Sequence, residues 1–597
     1  MINCIILDTG VRHKHKAFKE EHLSGFSLKG NHESEVQDDF EDLYGHGTAV
    51  FDIIREPDIN ITNIRLDGIE NGMAETQLIH ALQYIDGHCH ADIVNLSLGI
   101  TAGDVKDELY GICRKLYEKG VIIVSAFDNE GAMSYPAAFD CVIGVVTDSE
   151  CSRKNEFVYY EDECINIGAK GNLQRLAWTE PEYVFMQGNS FACAHVTKQI
   201  IQLMKEGIST FEQILLALKK RAKKCCYLNG SQKGECVKKE LPAGGRIALF
   251  PFNKEMHSLI RFSDMMPYKI SKVYDCKYTG RVGSTTKAVL NDEVEEITIE
   301  NICEIDMEAF DAFVFGHFEE LEAFYEDGFR IKLIKRLLEK SKYIISFDEL
   351  SEYEACSSND KVYFPVVREE HVPPNRFGKL FRINKPVIGV FGTSSQQGKF
   401  SLQLILRKKF MEAGYETGQI GTEPQAGMFG MDYVFPIGYN RSAHIDEWQT
   451  VLLLNSQLKE LCDKGKEIIL VGSQANTVVY DTGNLNRYTF IQNAFFQGTN
   501  PDAVVLVVNA YDEPEYVGRT ISYLQSGENT KVIALVIFPM DIDEHWRGMN
   551  YKKHKLSYEE FLEKKQKFVS FGLPIFLLGN DEDMEQLFAE LIDFFEE

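Results

Sequence analysis

The sequence predicts an α/β protein. The first 225 or so residues should form a mostly parallel sheet with helices on both faces, and two further α/β units should follow. Two observations carry this prediction. Short apolar runs that read as buried strands alternate with amphipathic helical patterns along the whole chain. Breaks rich in Gly, Pro and polar residues interrupt that alternation near residues 225–245 and 351–385. The length of 597 residues agrees, because domains of about 100–200 residues give three or four units.

In the first unit, INCIILD, INITNIRL, ADIVNLSL, GVIIVSAF and CVIGVVT read as strands. The segments TQLIHALQYIDG, VKDELYGICRKLYEKG and FACAHVTKQIIQLMKEG read as helices between or after them. A further helix, FEQILLALKKRAKK, ends in cations that suit the helix dipole. A domain spanning 1–225 is expected, then a linker over 226–245 that holds Gly230, Gly234, Pro242, Gly244 and Gly245. A small α/β domain over 246–370 follows, with strands RIALFPF, SKVYDC, DAFVFGHF and KYIISFD and the helix FRIKLIKRLLEKS. Residues 371–385, with Pro373 and Pro374, read as a second linker. The last domain, 386–597, opens on KPVIGVFG and continues through ETGQIG, KEIILVGS, DAVVLVVNA and KVIALVIFP to a C-terminal helix.

Composition narrows the function. The chain is 44% hydrophobic and 26% charged, as expected of a globular protein. Its 90 acidic and 63 basic residues give a net charge of -27, which argues against a general nucleic-acid binder and against adsorption to an anionic membrane. No apolar run is long enough for a signal-peptide core or a membrane span. The 14 cysteines are dispersed, without paired CxxC motifs, so free thiols in a reducing cytoplasm are expected rather than a disulfide framework. No metal site is expected: His88, Cys89 and His90 match none of the usual zinc spacings.

Three motifs carry chemistry when they are taken together. ILDTG places Asp8 at the end of a buried strand, YGHGTAV places His46 between two glycines, and QGNSFACAHV places Ser190 at the start of a helix. A serine hydroxyl becomes a useful nucleophile only when a neighbouring base takes its proton. His46 is that base, and Asp8 holds its tautomer and stabilises the imidazolium. A helix N-terminus beside Ser190 offers N–H groups and a positive dipole end to a developing oxyanion. A fourth segment, IVSAFDNEG, places Asn129 just past a strand, where its amide can donate to the same oxyanion. Each motif alone is weak, since a DTG or an HGT is most often a turn and a lone buried histidine a core residue.

The chain order Asp, His, Ser is one of three orders in which such triads occur, and it is the order found in subtilisin. YGHGTAV resembles the HGT box of the subtilases, and GNSFACAHV resembles their GTSMA-x-PHV box. SAFDNEG followed by YPAAFDCVIGVV resembles AAGNEG, YPA and the next strand, and NLSLG resembles the strand that pairs with substrate. This resemblance covers about 1–225 and implies a subtilisin-like serine endopeptidase with the triad Asp8, His46 and Ser190, and with Asn129 as oxyanion donor. It implies that Ser97, Leu98, Gly99, Ala126 and Asp128 frame the bound peptide, the first three by strand addition. The chain departs from the family at Asn189, where Thr is usual, and at Ala194, where Pro is usual; neither side chain does the chemistry, so activity is expected to survive. Asp8 lies almost at the first residue, so no pro-region is expected ahead of it. Asp128 stands where Gly is usual. It either selects Lys or Arg before the cut or turns to solvent or a local turn. Proteolysis of this kind requires no cofactor.

The segment VFGTSSQQGKFS follows a strand and should open a helix. It is a P-loop variant from Gly392 to Gly398 and Lys399, with one residue more than the common spacing. It resembles the loop of dethiobiotin-synthetase-like proteins, which implies a nucleotide with Mg²⁺. Phe400 occupies the usual Ser/Thr position, with Ser401 as its substitute, and KEIILVGSQ ends without the acidic residue that holds the metal. The alternative is a glycine turn that binds nothing. Residues 245–597 also resemble peptide-maturation-system proteins through GGRIALFPFNKEMHSLIRFSDM, GRVGS and the P-loop. The resemblance implies a cytoplasmic protease that removes the leader of a ribosomally made, modified, bacteriocin-like peptide. Its partners would be the precursor and the enzymes that modify it, with no nucleic acid and no membrane. Two other readings stand beside it: a precursor-binding scaffold with a degenerate protease, and a nucleotide-dependent enzyme with an accessory protease.

Overall fold

The computed structural model describes residues 1–18, 23–28, 36–66, 75–101, 105–161, 164–227, 242–322, 324–326, 328–357, 359–373, 378–438, 441–480, 482–483, 488, 490–527, 530–542 and 553–596. Most of the expected linker 226–245 lies outside them. The chain divides into two compact units: Met1–Lys233 with Pro374–Asn384, and Gly234–Pro373 with Lys385–Glu597.

The first unit is built on one sheet. Its strands are β1 (Ile2–Asp8), β2 (Ser24–Leu28), β3 (Val36–Gln37), β4 (Ile59–Leu66), β5 (Ile93–Leu96), β6 (Ile122–Ala126), β7 (Ile143–Thr147), β8 (Phe157–Glu161) and β9 (Ile167–Ala169). A separate antiparallel hairpin, β10 (Gln174–Ala177) and β11 (Tyr183–Met186), precedes the last strand, β12 (Lys224–Tyr227). The sheet order is β12-β8-β9-β7-β6-β5-β1-β4-β2-β3. From β9 to β2 every pairing is parallel. Helices α1 (His46–Ile54), α2 (Glu75–His88), α3 (Lys106–Glu118), α4 (Asn189–Lys205) and α5 (Phe211–Arg221) cover it.

Side-chain alternation explains the two covered faces. Along β1, Cys4 and Ile6 pack with α1, α4 and α5, whereas Ile5 and Leu7 pack with α2 and α3. The expected layering of helices on both faces is what the structure has. The basic end of α5 is spent locally: Arg221 pairs with Glu206, and Lys219 pairs with Glu161 at 2.9 Å.

The second unit holds two all-parallel sheets. One has the order Ile299–Asn301, Tyr268–Asp275, Gly245–Phe250, Ala312–Phe315, Tyr343–Ser346, Val362–Tyr363. The other has the order Tyr433–Val434, Thr417–Gly421, Ile468–Gly472, Val387–Gly392, Ala503–Asn509, Lys531–Phe538, Ile575–Leu577. The regions 246–370 and 386–597, separate domains by sequence, share a core here. Ile247, Leu249 and Val314 of the first sheet pack with Phe400, Leu404 and Met428 of the P-loop region. The expected linker 371–385 is also divided, because its described residues 378–384 group with the first unit.

Candidate active site

The catalytic edge lies where the parallel strands end, the usual site of ligands in open α/β sheets. Asp8 is the last residue of β1 and is buried. Its Oδ1 accepts from His46 Nδ1 at 2.7 Å and from the Thr9 N–H at 2.8 Å. Thr9 Oγ1 in turn accepts from the Gly47 N–H at 2.8 Å, so the aspartate and histidine segments are tied twice.

His46 opens α1, and Asp42 shapes the turn that leads into it. Asp42 Oδ1 accepts from the Tyr44 and Gly45 N–H groups at 2.9 and 2.8 Å. Its Oδ2 accepts from the N–H and hydroxyl of Thr48 at 2.8 and 2.6 Å. The glycines around His46 are required sterically. Gly45 has φ 109°, and a Cβ there would lie 2.4 Å from the Trp178 ring; a Cβ on Gly47 would lie 2.2 Å from Gly10 O. Burial works against an imidazolium at His46, but the charge and hydrogen bond of Asp8, with a contribution from Asp42, raise its pKa above the ordinary value. The His46 side chain keeps 31% of its surface exposed, which leaves the ring open to a substrate.

Ser190 sits in the first turn of α4 and is buried. Its Oγ donates to Ser97 O at 3.0 Å. Ser97 Oγ donates back to Ser190 O at 3.3 Å and accepts from Asn95 Nδ2 at 2.9 Å. Asn95 Oδ1 accepts from Thr197 Oγ1 at 2.8 Å, so a buried polar network fixes the helix under the nucleophile. The ring of the next residue, Phe191, has its centroid 5.4 Å from that of His46, so the nucleophile helix and the histidine are neighbours, and catalytic hydrogen bonds are commonly loose before substrate binds.

Asn129 lies three residues beyond β6 and is exposed. Its Oδ1 accepts from the Asn189 N–H at 2.8 Å, which directs Nδ2 away from that contact as a free donor. Asn189 does more than its sequence position suggests. Its Oδ1 accepts from the Thr147 N–H at 2.7 Å, and its Nδ2 donates to the carbonyls of Phe127 and Asp128, both at 3.0 Å. One side chain thus joins the nucleophile helix to β7 and to the loop that carries the oxyanion donor. Ala194 is fully buried inside the uninterrupted helix α4.

The residues expected to frame a peptide converge on the same edge. Ser97, Leu98 and Gly99 follow β5, and a Cβ on Gly99 would lie 3.3 Å from Ala126 O. The next residue, Ile100, exchanges backbone hydrogen bonds with Tyr135, each of 2.8 Å. Asp128 Oδ2 accepts from the Glu130 N–H at 3.0 Å, so its side chain closes a local turn.

Sequence reasoning did not single out Asp42 or the bonding of Asn189. Asp42 sits four residues before His46, and that spacing is its only local signal. His195, on the same helix as Ser190, is not a second base. Its Nε2 bonds Gln174 Oε1 at 3.0 Å, and burial pushes its pKa down to about 3. Among the described residues no group of three or more His, Cys, Asp or Glu side chains is placed to hold a metal ion.

The P-loop occupies the second unit. Gly392 ends its strand, and Gly398, with φ 75°, precedes the helix Lys399–Glu412. Lys399 is 4% exposed, and its Nζ donates to Ser394 O at 2.5 Å. Burial lowers its pKa to about 7, opposed by the charge of Glu423. A buried cation at a helix N-terminus fits an anionic phosphate. The Mg²⁺ half of the expectation fits less well. Phe400 is buried against Phe429 at 5.7 Å, Ser401 is half-buried, and the strand Ile468–Gly472 runs into Ser473 and Gln474. Among the described residues, acidic groups near the loop include Glu423, close enough to act on Lys399, and Asp512, which accepts from Thr393 Oγ1 at 2.5 Å.

Comparison with known proteins agrees with this geometry. Residues 4–215 match the family model of the subtilase family, peptidase S8. Residues 376–538 match the P-loop domain of a domain of unknown function, DUF1611_C. The minor extracellular protease Epr of Bacillus subtilis is 32% identical over 173 residues, 26% of this chain and 26% of that protein. The subtilase-type proteinase RRT12 of Saccharomyces cerevisiae is 24% identical over 229 residues, 35% of this chain and 44% of that protein. The chain thus spans less than half the length of these relatives. Solved structures with similarity include a cold-adapted subtilisin-like serine proteinase, at 20% identity, a TM-score of 0.31, and coverage of 37% of this chain and 81% of the other. A lanthipeptide protease matches at 16% identity, a TM-score of 0.31, and coverage of 37% and 79%. Residues 4–215 of the chain thus match the subtilase family, and residues 376–538 match a P-loop domain of unknown function.

Proposed function

We propose that the chain is a serine endopeptidase that cleaves a peptide precursor. The observation that carries the reading is the joint placement of Asp8, His46, Ser190 and Asn129 on one sheet edge, with the Asp8–His46 bond made at 2.7 Å. His46 takes the Ser190 proton as Oγ attacks the scissile carbonyl. The oxyanion meets Asn129 Nδ2 and the Ser190 N–H. His46 then gives its proton to the leaving amine, and water releases the acyl group by the same steps in reverse. Asp8 stays ionised throughout and stabilises the imidazolium.

The finer reading is removal of a leader from a ribosomally synthesised, modified peptide in the cytoplasm. It is supported by the resemblance of residues 245–597 to peptide-maturation-system proteins. The location is supported by the dispersed spacing of the cysteines in the sequence, without paired CxxC motifs, which suits a reducing compartment. No helix among the described residues is long and apolar enough to cross a membrane. For the P-loop we propose phosphate binding, on the ground of the buried Lys399 at a helix N-terminus.

The test is active-site labelling with a fluorophosphonate on the wild type, Ser190→Ala and His46→Ala. Modification of Ser190 that needs His46 is the expected result. No labelling of folded wild-type protein would move the weight to a precursor-binding scaffold.

A further inference from the structure

Residues 378–384 lie far beyond β12 in sequence, yet they pack within the first unit. They meet the loop that carries Asn129. Leu380 O accepts from the Met133 N–H at 3.0 Å. Lys379 Nζ lies 3.4 Å from Gly131 O and 5.3 Å from the centroid of the Phe127 ring. Arg382 Nη2 pairs with Glu130 Oε2 at 3.3 Å. That last pair is exposed on both sides, so it adds little by itself.

Lys379 is the informative residue because it is only 8% exposed. Burying an ammonium is costly unless the surroundings replace water. Here the Phe127 ring face, the Gly131 carbonyl and the charge of Asp128 do so, while burial lowers the lysine's pKa. The loop is therefore anchored from two directions. Asn189 holds the Phe127 and Asp128 carbonyls, and the strap holds Gly131 and Met133. Asn129 sits between these anchors.

We infer that Lys379, with the strap around it, is a positioning residue for the oxyanion donor Asn129. It does not touch substrate. It acts by fixing the backbone of 127–134, so that Asn129 Nδ2 stands where the oxyanion forms. Catalytic constellations lose rate when a supporting contact lets a donor drift by about 1 Å. The inference rests on the serine-peptidase reading.

The experiment uses the full chain and a fluorophosphonate, with kinact and KI resolved separately, for wild type, Lys379→Met, Asn129→Ala and the double variant. Backbone exchange of the Met133 amide is followed in parallel. The expected result for Lys379→Met is a kinact about tenfold lower with KI within about twofold, and faster Met133 exchange. In the Asn129→Ala background the same substitution should cost nothing further, since the donor it positions is gone. Labelled wild type with an unchanged Lys379→Met rate, unchanged Met133 exchange, or a full additive loss in the double variant would each overturn the strap's role. Wild type that is never labelled would overturn the peptidase reading instead, and the inference with it.

Discussion

The backbone N–H of Asn189 donates to Asn129 Oδ1 at 2.8 Å, so the residue before Ser190 orients the residue proposed to receive the oxyanion. The same Asn189 side chain reaches Thr147, Phe127 and Asp128. Asn189→Ala keeps the backbone contact and removes the other three, leaving one N–H and two carbonyls without their partner. The expected loss is about 1–3 kcal/mol of stability, measured by denaturant unfolding, with a lower kinact toward a fluorophosphonate. Asn189→Thr has one hydroxyl to serve three partners and should recover only part of this. An unchanged midpoint and rate in Asn189→Ala would show that the bonds are idle.

The pH dependence of activity should follow His46. Its pKa is raised in the folded protein, and the base must be neutral, so the acid limb of labelling should lie above the ordinary imidazole value of about 6.5. The linked stability has the opposite sense. A raised folded pKa means that the ionised His46–Asp8 pair contributes fully below the unfolded value and is lost as pH rises through the folded one. Asp8→Asn should move the acid limb down and lower the rate by about 10⁴, because the tautomer is no longer held. A labelling profile with its acid limb below pH 6 in the wild type would contradict the assignment.

Much of this site was legible in the sequence because its parts are local words. A strand ending in Asp8, a glycine pair around His46, and a helix beginning at Ser190 each declare themselves within a few residues. The alternation along β1 likewise announced two covered faces. What the sequence hid are contacts between distant residues with no local pattern. Asn189 looked like a mild substitution, yet its partners lie 42 to 62 residues away. The stretch 371–385 read as a linker from its prolines and polarity, yet Lys379 reaches a carbonyl 248 residues earlier. Asp42 serves backbone N–H groups, which impose no side-chain pattern on the sequence. For Asp128 the sequence leaves two readings, selection of Lys or Arg before the cut and a local turn; the carboxylate closes a turn on the Glu130 N–H, and only coordinates decide between them.

Asp128 therefore makes a separate prediction. With Oδ2 engaged by the Glu130 N–H at 3.0 Å and the charge acting on the buried Lys379, the carboxylate serves its own loop rather than a basic residue before the cut. Asp128→Asn retains an oxygen for that turn and removes the charge. It should leave the preference among substrates ending in Lys, Arg or Leu unchanged within about threefold in kcat/KM. A selective loss of more than about tenfold on Lys and Arg substrates would restore the carboxylate as a specificity determinant.

Lys399 makes the P-loop reading testable without knowing any reaction. Burial holds its pKa at about 7, far below the usual lysine value. Between that value and about 10.4 the unfolded chain binds more protons than the folded one, so this residue makes stability rise with pH across the window. Below pH 7 the folded protein carries a buried ammonium whose cost nothing on the loop fully offsets. Lys399→Met should therefore raise the melting temperature at pH 6–7, by about 5 °C. A phosphate on the loop supplies the missing charge. Millimolar ATP or pyrophosphate should stabilise the wild type and leave Lys399→Met unmoved. Because Ser473 and Gln474 stand where a metal-holding acid is expected, Mg²⁺ should add little to the shift. A wild type indifferent to both ligands would make the Gly392–Lys399 loop a turn that binds no phosphate, and a shift that demands Mg²⁺ would point to Glu423 or Asp512 as the acid that serves the metal.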